Sequence, residues 1–142
     1  MNRISLCIVF FIFFTVHQVS AEVATPELKR GAQLIGIAGS NGFNPAFDQH
    51  IKGDLDKLLP QLKLLNTDAT ILIEVYYPDK SGDSKEQRIS SAFYLAEQVQ
   101  QYLKVRHNLD KAFFVAIRDN GAEKLKYTKV RLTTFPRDYF EN

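Results

Sequence analysis

The apolar positions of this chain change period along its length, and each change marks an element. Over residues 51–65 they fall at Ile51, Leu55, Leu58, Leu59, Leu62 and Leu65, the three-and-four spacing of one helical face. Lys52, Asp56, Lys57 and Lys63 occupy the other side. Asn44-Pro45 supplies an N-cap and first helical residue, and Pro60 predicts a kink or break near Leu59. Residues 70–77 (TILIEVYY) are β-branched and aromatic, with Ile71, Ile73, Val75 and Tyr77 on one face. Only Glu74 interrupts that apolar run, as expected of a central strand covered on most of both sides. Residues 33–38 (QLIGIA) read as a shorter strand, closed by the loop Gly39-Ser40-Asn41-Gly42.

After the loop 78–83 (PDKSGD), Ser84 with Gln87 forms a capping box that opens a second helix. Its predicted buried stripe is Ile89, Phe93, Ala96, Val99 and Leu103, and the helix should run to about Arg106. Residues 111–118 (KAFFVAIR) and 124–135 (KLKYTKVRLTTF) are further strands, with Asp119-Asn120-Gly121 predicting a tight hairpin between them. The order is β-α-β-α-β-β. It implies an α+β fold, a mixed sheet with two helices packed on one face.

The head of the chain has a different character. Arg3 precedes an uncharged apolar run over residues 4–16, and residues 17–21 (HQVSA) end on small residues, with Val19 and Ala21 at the positions a signal peptidase reads. A membrane-spanning helix needs roughly 20 apolar residues, so the pattern predicts a cleaved signal over 1–21 rather than an anchor. Cys7 lies inside the run after Leu6, not at a lipidation site, and removal of the signal takes away the only cysteine and the only methionine. No disulfide or thiolate chemistry is then expected. The expected layout is a signal over 1–21, a polar lead-in over 22–31, one domain over 32–135 and a tail over 136–142.

Charge narrows the function classes. The 18 basic and 16 acidic residues nearly balance, which gives no reason to expect nucleic acid or an acidic lipid surface as the main partner. His50 and His107 have no Cys or His at metal-ligand spacing, so neither metal nor other cofactor is expected. Ser81, Ser84, Ser90 and Ser91 lie in no nucleophile motif, and Asp79 with Asp83 is a loop pair with no sign of a cleft; the chain reads as a non-enzyme. Tyr76 and Tyr77 are expected to pack the end of their strand rather than border a sugar or peptide site. The charges Lys124, Lys126, Lys129 and Arg131 are expected to protect an edge strand rather than form a recognition stripe.

Over residues 43–132 this order, with several local residues, resembles the OmpA-like domain, the peptidoglycan-binding module of bacterial outer-membrane proteins and lipoproteins. Asp79-Lys80-Ser81-Gly82 matches the Asp-x-x-Gly of that family's loop after the second strand, with Pro78 in place of its Thr. Ala96, Val99 and Tyr102-Leu103 match the Arg-Ala-x-x-Val and Tyr-Leu of its second helix, with Leu95 at the arginine position. Tyr127-Thr128-Lys129-Val130 keeps only a basic residue and the valine of the last-strand motif Asn-Arg-Arg-Val. The predicted hairpin before the last strand is shorter than the family's usual excursion.

The resemblance implies a pocket in which an aspartate and an arginine grip the two ends of a diaminopimelate unit. Asp79 and Gly82 stand where the first half would be, and Arg88 or Lys129 are the substitutes for the second, because Leu95 cannot pair with a carboxylate. Surplus apolar residues point elsewhere: Leu95 and Tyr102 as a ridge on the second helix, and Phe135, Tyr139 and Phe140 at the tail, are candidate protein contacts. The expected function is a non-catalytic structural subunit of a bacterial envelope assembly, such as an outer-membrane secretion complex. It would sit in the periplasm, associated with the outer membrane through envelope proteins and without a membrane anchor of its own. The alternative is a peptidoglycan-binding module that tethers the envelope to the cell wall, for which Leu95 predicts weak binding or none.

Overall fold

A computed structural model describes residues 32–40, 46–78, 82–118 and 127–135. The signal segment, Asn44-Pro45, Asp79, the Asp119-Asn120-Gly121 turn, and the tail with Tyr139 and Phe140 lie outside the described residues. The fold is α+β. Strand β1 (Gln33–Gly39), helix α1 (Gln49–Leu64), strand β2 (Thr70–Tyr76) and helix α2 (Lys85–Gln101) are followed by a π-turn (Tyr102–Arg106) and strands β3 (Ala112–Arg118) and β4 (Lys129–Phe135).

The four strands form one mixed sheet in the order β1-β4-β2-β3. β2 runs parallel to β3, and β4 runs antiparallel to both β1 and β2. This overturns the hairpin expected at Asp119-Asn120-Gly121. β3 and β4 are not neighbours; the chain between them crosses β2, which a tight turn cannot do. It also overturns the edge role expected for Lys129 and Arg131, because β4 is an interior strand and the edges are β1 and β3. β4 itself begins at Lys129, later than the periodicity suggested.

Both helices cover one face of the sheet. Ala38, Ile71, Ile73, Val75, Val130 and Leu132 point to that face and are fully buried in one cluster with Ile51, Leu55 and Leu62 of α1 and Ala92, Leu95, Ala96 and Val99 of α2. Burying such aliphatic side chains is worth about 1.5–3 kcal/mol each, and this cluster is where the fold gains its stability. Gly36 lets α1 approach β1 closely, since a Cβ there would meet the Leu58 side chain and oblige it to shift. A bulge between Leu34 and Gly36 lets Ile35 join the same side.

The helix ends follow local chemistry. α1 starts one turn later than the Asn44-Pro45 pair suggested, because Asp48 accepts from the Ile51 N–H at 2.9 Å and serves as N-cap. The helix continues through Pro60 instead of breaking there. Leu62 beyond the proline is fully buried, and that burial offsets part of the roughly 3 kcal/mol cost of a proline inside a helix. At its C-terminal end the Lys111 ammonium, itself buried, donates to the Leu65 and Asn66 carbonyls at 2.9 and 2.7 Å. Leu65 is the C-cap of the helix and Asn66 follows it, its carbonyl also accepting from the Ala69 N–H at 3.0 Å; a cation suits this end of the helix.

The capping box of α2 is as expected: Ser84 Oγ accepts from the Gln87 N–H at 3.2 Å and Gln87 Oε1 from the Ser84 N–H at 2.9 Å. Its buried stripe is shifted from the expected one. Ala92 and Leu95 face the core, and Phe93 is 51% exposed. A spacing of four from Ile89 selects Phe93 and a spacing of three selects Ala92. The two alanines, Ala92 and Ala96, are the residues that let a helix sit close to a sheet.

Candidate functional site

The structure describes three of the four residues expected to bind peptidoglycan, Gly82, Arg88 and Lys129. Asp79 lies outside the described residues. Gly82 has φ +108°, a left-handed turn conformation that explains the glycine by backbone geometry alone. Arg88 does reach back to the loop before α2, where its Nη1 donates to the Asp83 carbonyl at 2.7 Å. Lys129, paired in register with Tyr76, projects from the sheet face opposite the helices. Arg88, on α2, and Lys129, on the sheet face opposite the helices, are the two alternative substitutes for the arginine and therefore belong to different layers.

The expected protein contacts are also corrected in part. Leu95 is fully buried and forms no surface ridge. Phe135, at the end of β4, is buried at 7% exposure and is unavailable as an anchor. The Tyr102 ring stacks edge-on against Phe47 and His107, at 5.3 and 4.7 Å between centroids, and its hydroxyl donates to Asp56 Oδ1 at 2.8 Å. His107 Nε2 sits 3.2 Å from the same oxygen. These contacts tie the π-turn to α1. The outer side of Tyr102 still borders an open groove of about 750 Å³ with Phe47, Tyr94, Gln101 and Val105.

The most developed chemical site lies on the other face of the sheet, at Glu74. The sequence marked this residue as the lone charge in β2, and a buried charge requires partners of opposite sign. They come from both neighbouring strands. Register places Arg131 of β4 directly beside Glu74, while Arg118 lies one row further along β3, opposite Tyr76. Arg131 Nε donates to Glu74 Oε2 at 2.6 Å and Arg118 Nε donates to Oε1 at 2.9 Å. The Thr133 hydroxyl adds a weaker donation to Oε2 at 3.4 Å. Glu74 is 2% exposed and Arg131 7%, whereas the Arg118 side chain is 46% exposed.

Burial alone would raise the Glu74 pKa, but the hydrogen bonds and charges of Arg131 and Arg118 outweigh it and hold the carboxyl below its ordinary range. The Arg131 guanidinium also lies 5.3 Å from the centre of the Tyr76 ring. Burial and the nearby Glu74 raise the Tyr76 pKa, so the phenol stays protonated and can donate. On the same face Lys129 stands 5.5 Å from the Tyr127 ring. Tyr77, by contrast, packs in the core as expected of a strand-end aromatic.

Sequence reasoning missed this cluster because its arginines were read one strand at a time. The lone Glu74 was the available signal; the pairing of β2 with both β3 and β4 was not visible. No family model, curated protein or solved structure matches the chain.

Proposed function

We propose that the protein is a non-catalytic OmpA-like domain that works as a structural subunit of a bacterial envelope assembly, held in place by protein contacts rather than by the cell wall. The element order β-α-β-α-β-β and a mixed sheet with both helices on one face accord with that family. Because β3 and β4 are not neighbours, the shortened hairpin that counted against the resemblance is gone.

The observation that carries the reading is Leu95. It occupies the position of the family's carboxylate-binding arginine and is fully buried among aliphatic side chains. No guanidinium is offered from that position, and a side chain fully buried in the core gives a ligand carboxylate neither a partner nor a surface to reach. Outward-facing Phe93, Tyr94 and Val105, exposed at 51, 62 and 76%, give α2 and the π-turn an apolar exterior suited to protein contacts.

Co-sedimentation with purified peptidoglycan sacculi tests this. The mature protein should stay in the supernatant, and native extraction should recover it with envelope proteins. Micromolar co-sedimentation abolished by Asp79→Ala would instead establish the cell-wall tether.

A further inference from the structure

One row of side chains runs across three adjacent strands on the sheet face away from the helices. Register places Lys129 of β4 and Arg118 of β3 on either side of Tyr76 of β2. All three present donors. Among the described residues the Arg118 Nη groups and the Tyr76 hydroxyl make no hydrogen bond, and the Lys129 ammonium has no anionic partner. The row is reachable: the Arg118 side chain is 46% exposed, and Lys129 and Tyr76 are partly exposed.

We propose that Lys129, Tyr76 and Arg118 form a binding site for the carboxylates of an extended acidic peptide segment of another protein. It does not depend on the envelope reading, since any partner with such a segment would fit.

Three features support it. The first is charge: among the described residues of this row Arg118 and Lys129 are cations and none is acidic, and the one carboxylate beside it, Glu74, is buried and turned to Arg131 as well as Arg118. The second is preorganisation. Glu74 is buried and accepts from Arg118 Nε, so the guanidinium is anchored at one nitrogen while its Nη groups keep their donors. A fork already ordered loses less freedom when it grips a carboxylate, and two parallel N–H···O bonds are the geometry it favours.

Span is the third. Lys129 and Arg118 are separated by two inter-strand spacings, roughly 10 Å between backbones. That separation suits successive carboxylates of a chain laid across the strands, with the Tyr76 phenol between them, better than one compact ion.

Fluorescence anisotropy with a labelled hexapeptide alternating Glu and Gly, added to the purified mature protein, tests the site. The Glu peptide should bind and its Gln counterpart should not, and added salt should weaken binding. Arg118→Gln and Lys129→Gln should each weaken it about tenfold or more, as expected for loss of a charge-assisted contact. Lys57→Gln, which removes an exposed cation on α1, should leave it unchanged. Since Arg118 also supports Glu74, Lys129→Gln is the variant that separates recognition from folding. Equal binding of the Gln peptide, undiminished binding by Lys129→Gln, or no binding at millimolar protein would each overturn the proposal. Complete displacement by inorganic phosphate at a concentration equal to the peptide's would show a single-oxyanion site and overturn the peptide assignment.

Discussion

Arg131 and Glu74 form an ion pair across the centre of the sheet, with Nε 2.6 Å from Oε2 and both residues under one-tenth exposed. Arg118 grips the other carboxylate oxygen from the opposite side, yet its own side chain is 46% exposed. The two arginines are therefore chemically alike and energetically unlike. Removing one partner of a buried pair costs about 3–5 kcal/mol, because the remaining charge is left uncompensated. An exposed pair is worth about 0–1 kcal/mol. Urea denaturation should place Arg131→Ala toward the lower end of the first range, since Arg118 still pairs with Glu74, and Arg118→Ala near the second.

The same carboxylate makes stability depend on acid. Glu74 has a depressed pKa in the fold, so its contribution is fully present above the pKa of the unfolded chain, about 4.3 for a glutamate. It is lost as pH falls further, through the folded value. The stability gap between the native chain and Glu74→Gln should be constant from neutral pH down to that point and then close. Urea midpoints measured at a series of pH values check this; a gap that widened on acidification would give the wrong sign.

Helix α2 was legible in its start and approximate extent, but its phase was not. Ser84 and Gln87 carry their capping geometry in their own spacing, so the start could be read directly. Which of Ala92 and Phe93 faces inward is decided by the distance between helix and sheet, a tertiary quantity. The same limit applies to the strands. β2 declared itself by composition, but β4 became an interior strand through a crossing that no local turn signal encodes. The arginines of the Glu74 cluster therefore could not be assigned from sequence, although the need for a partner could.

That phase yields its own prediction. Leu95→Ala should cost about 2–5 kcal/mol, the range for truncating a buried leucine, and Phe93→Ser should stay within about 0.5 kcal/mol. Thermal melts of the two variants decide it, and the reverse ranking would restore the stripe through Phe93. Leu95→Arg is then no route to a restored ligand pocket, since it would bury an unpaired charge.

Lys111 holds the C-terminal end of α1 by two charge-assisted hydrogen bonds. Lys111→Met keeps the aliphatic stem and deletes the ammonium. Loss of hydrogen bonds to a charged group should cost about 1.5–3 kcal/mol. Hydrogen exchange should show the effect first as faster opening of the last turn of α1, residues 61–64, with α2 unaffected.

Recovery of the protein from native cells by mild detergent, followed by size-exclusion chromatography, tests the proposed role most directly. A structural subunit should elute in a high-mass fraction together with other envelope proteins, and should do so after the sacculus has been digested. Elution as a free monomer, or release only on digestion of peptidoglycan, would contradict it.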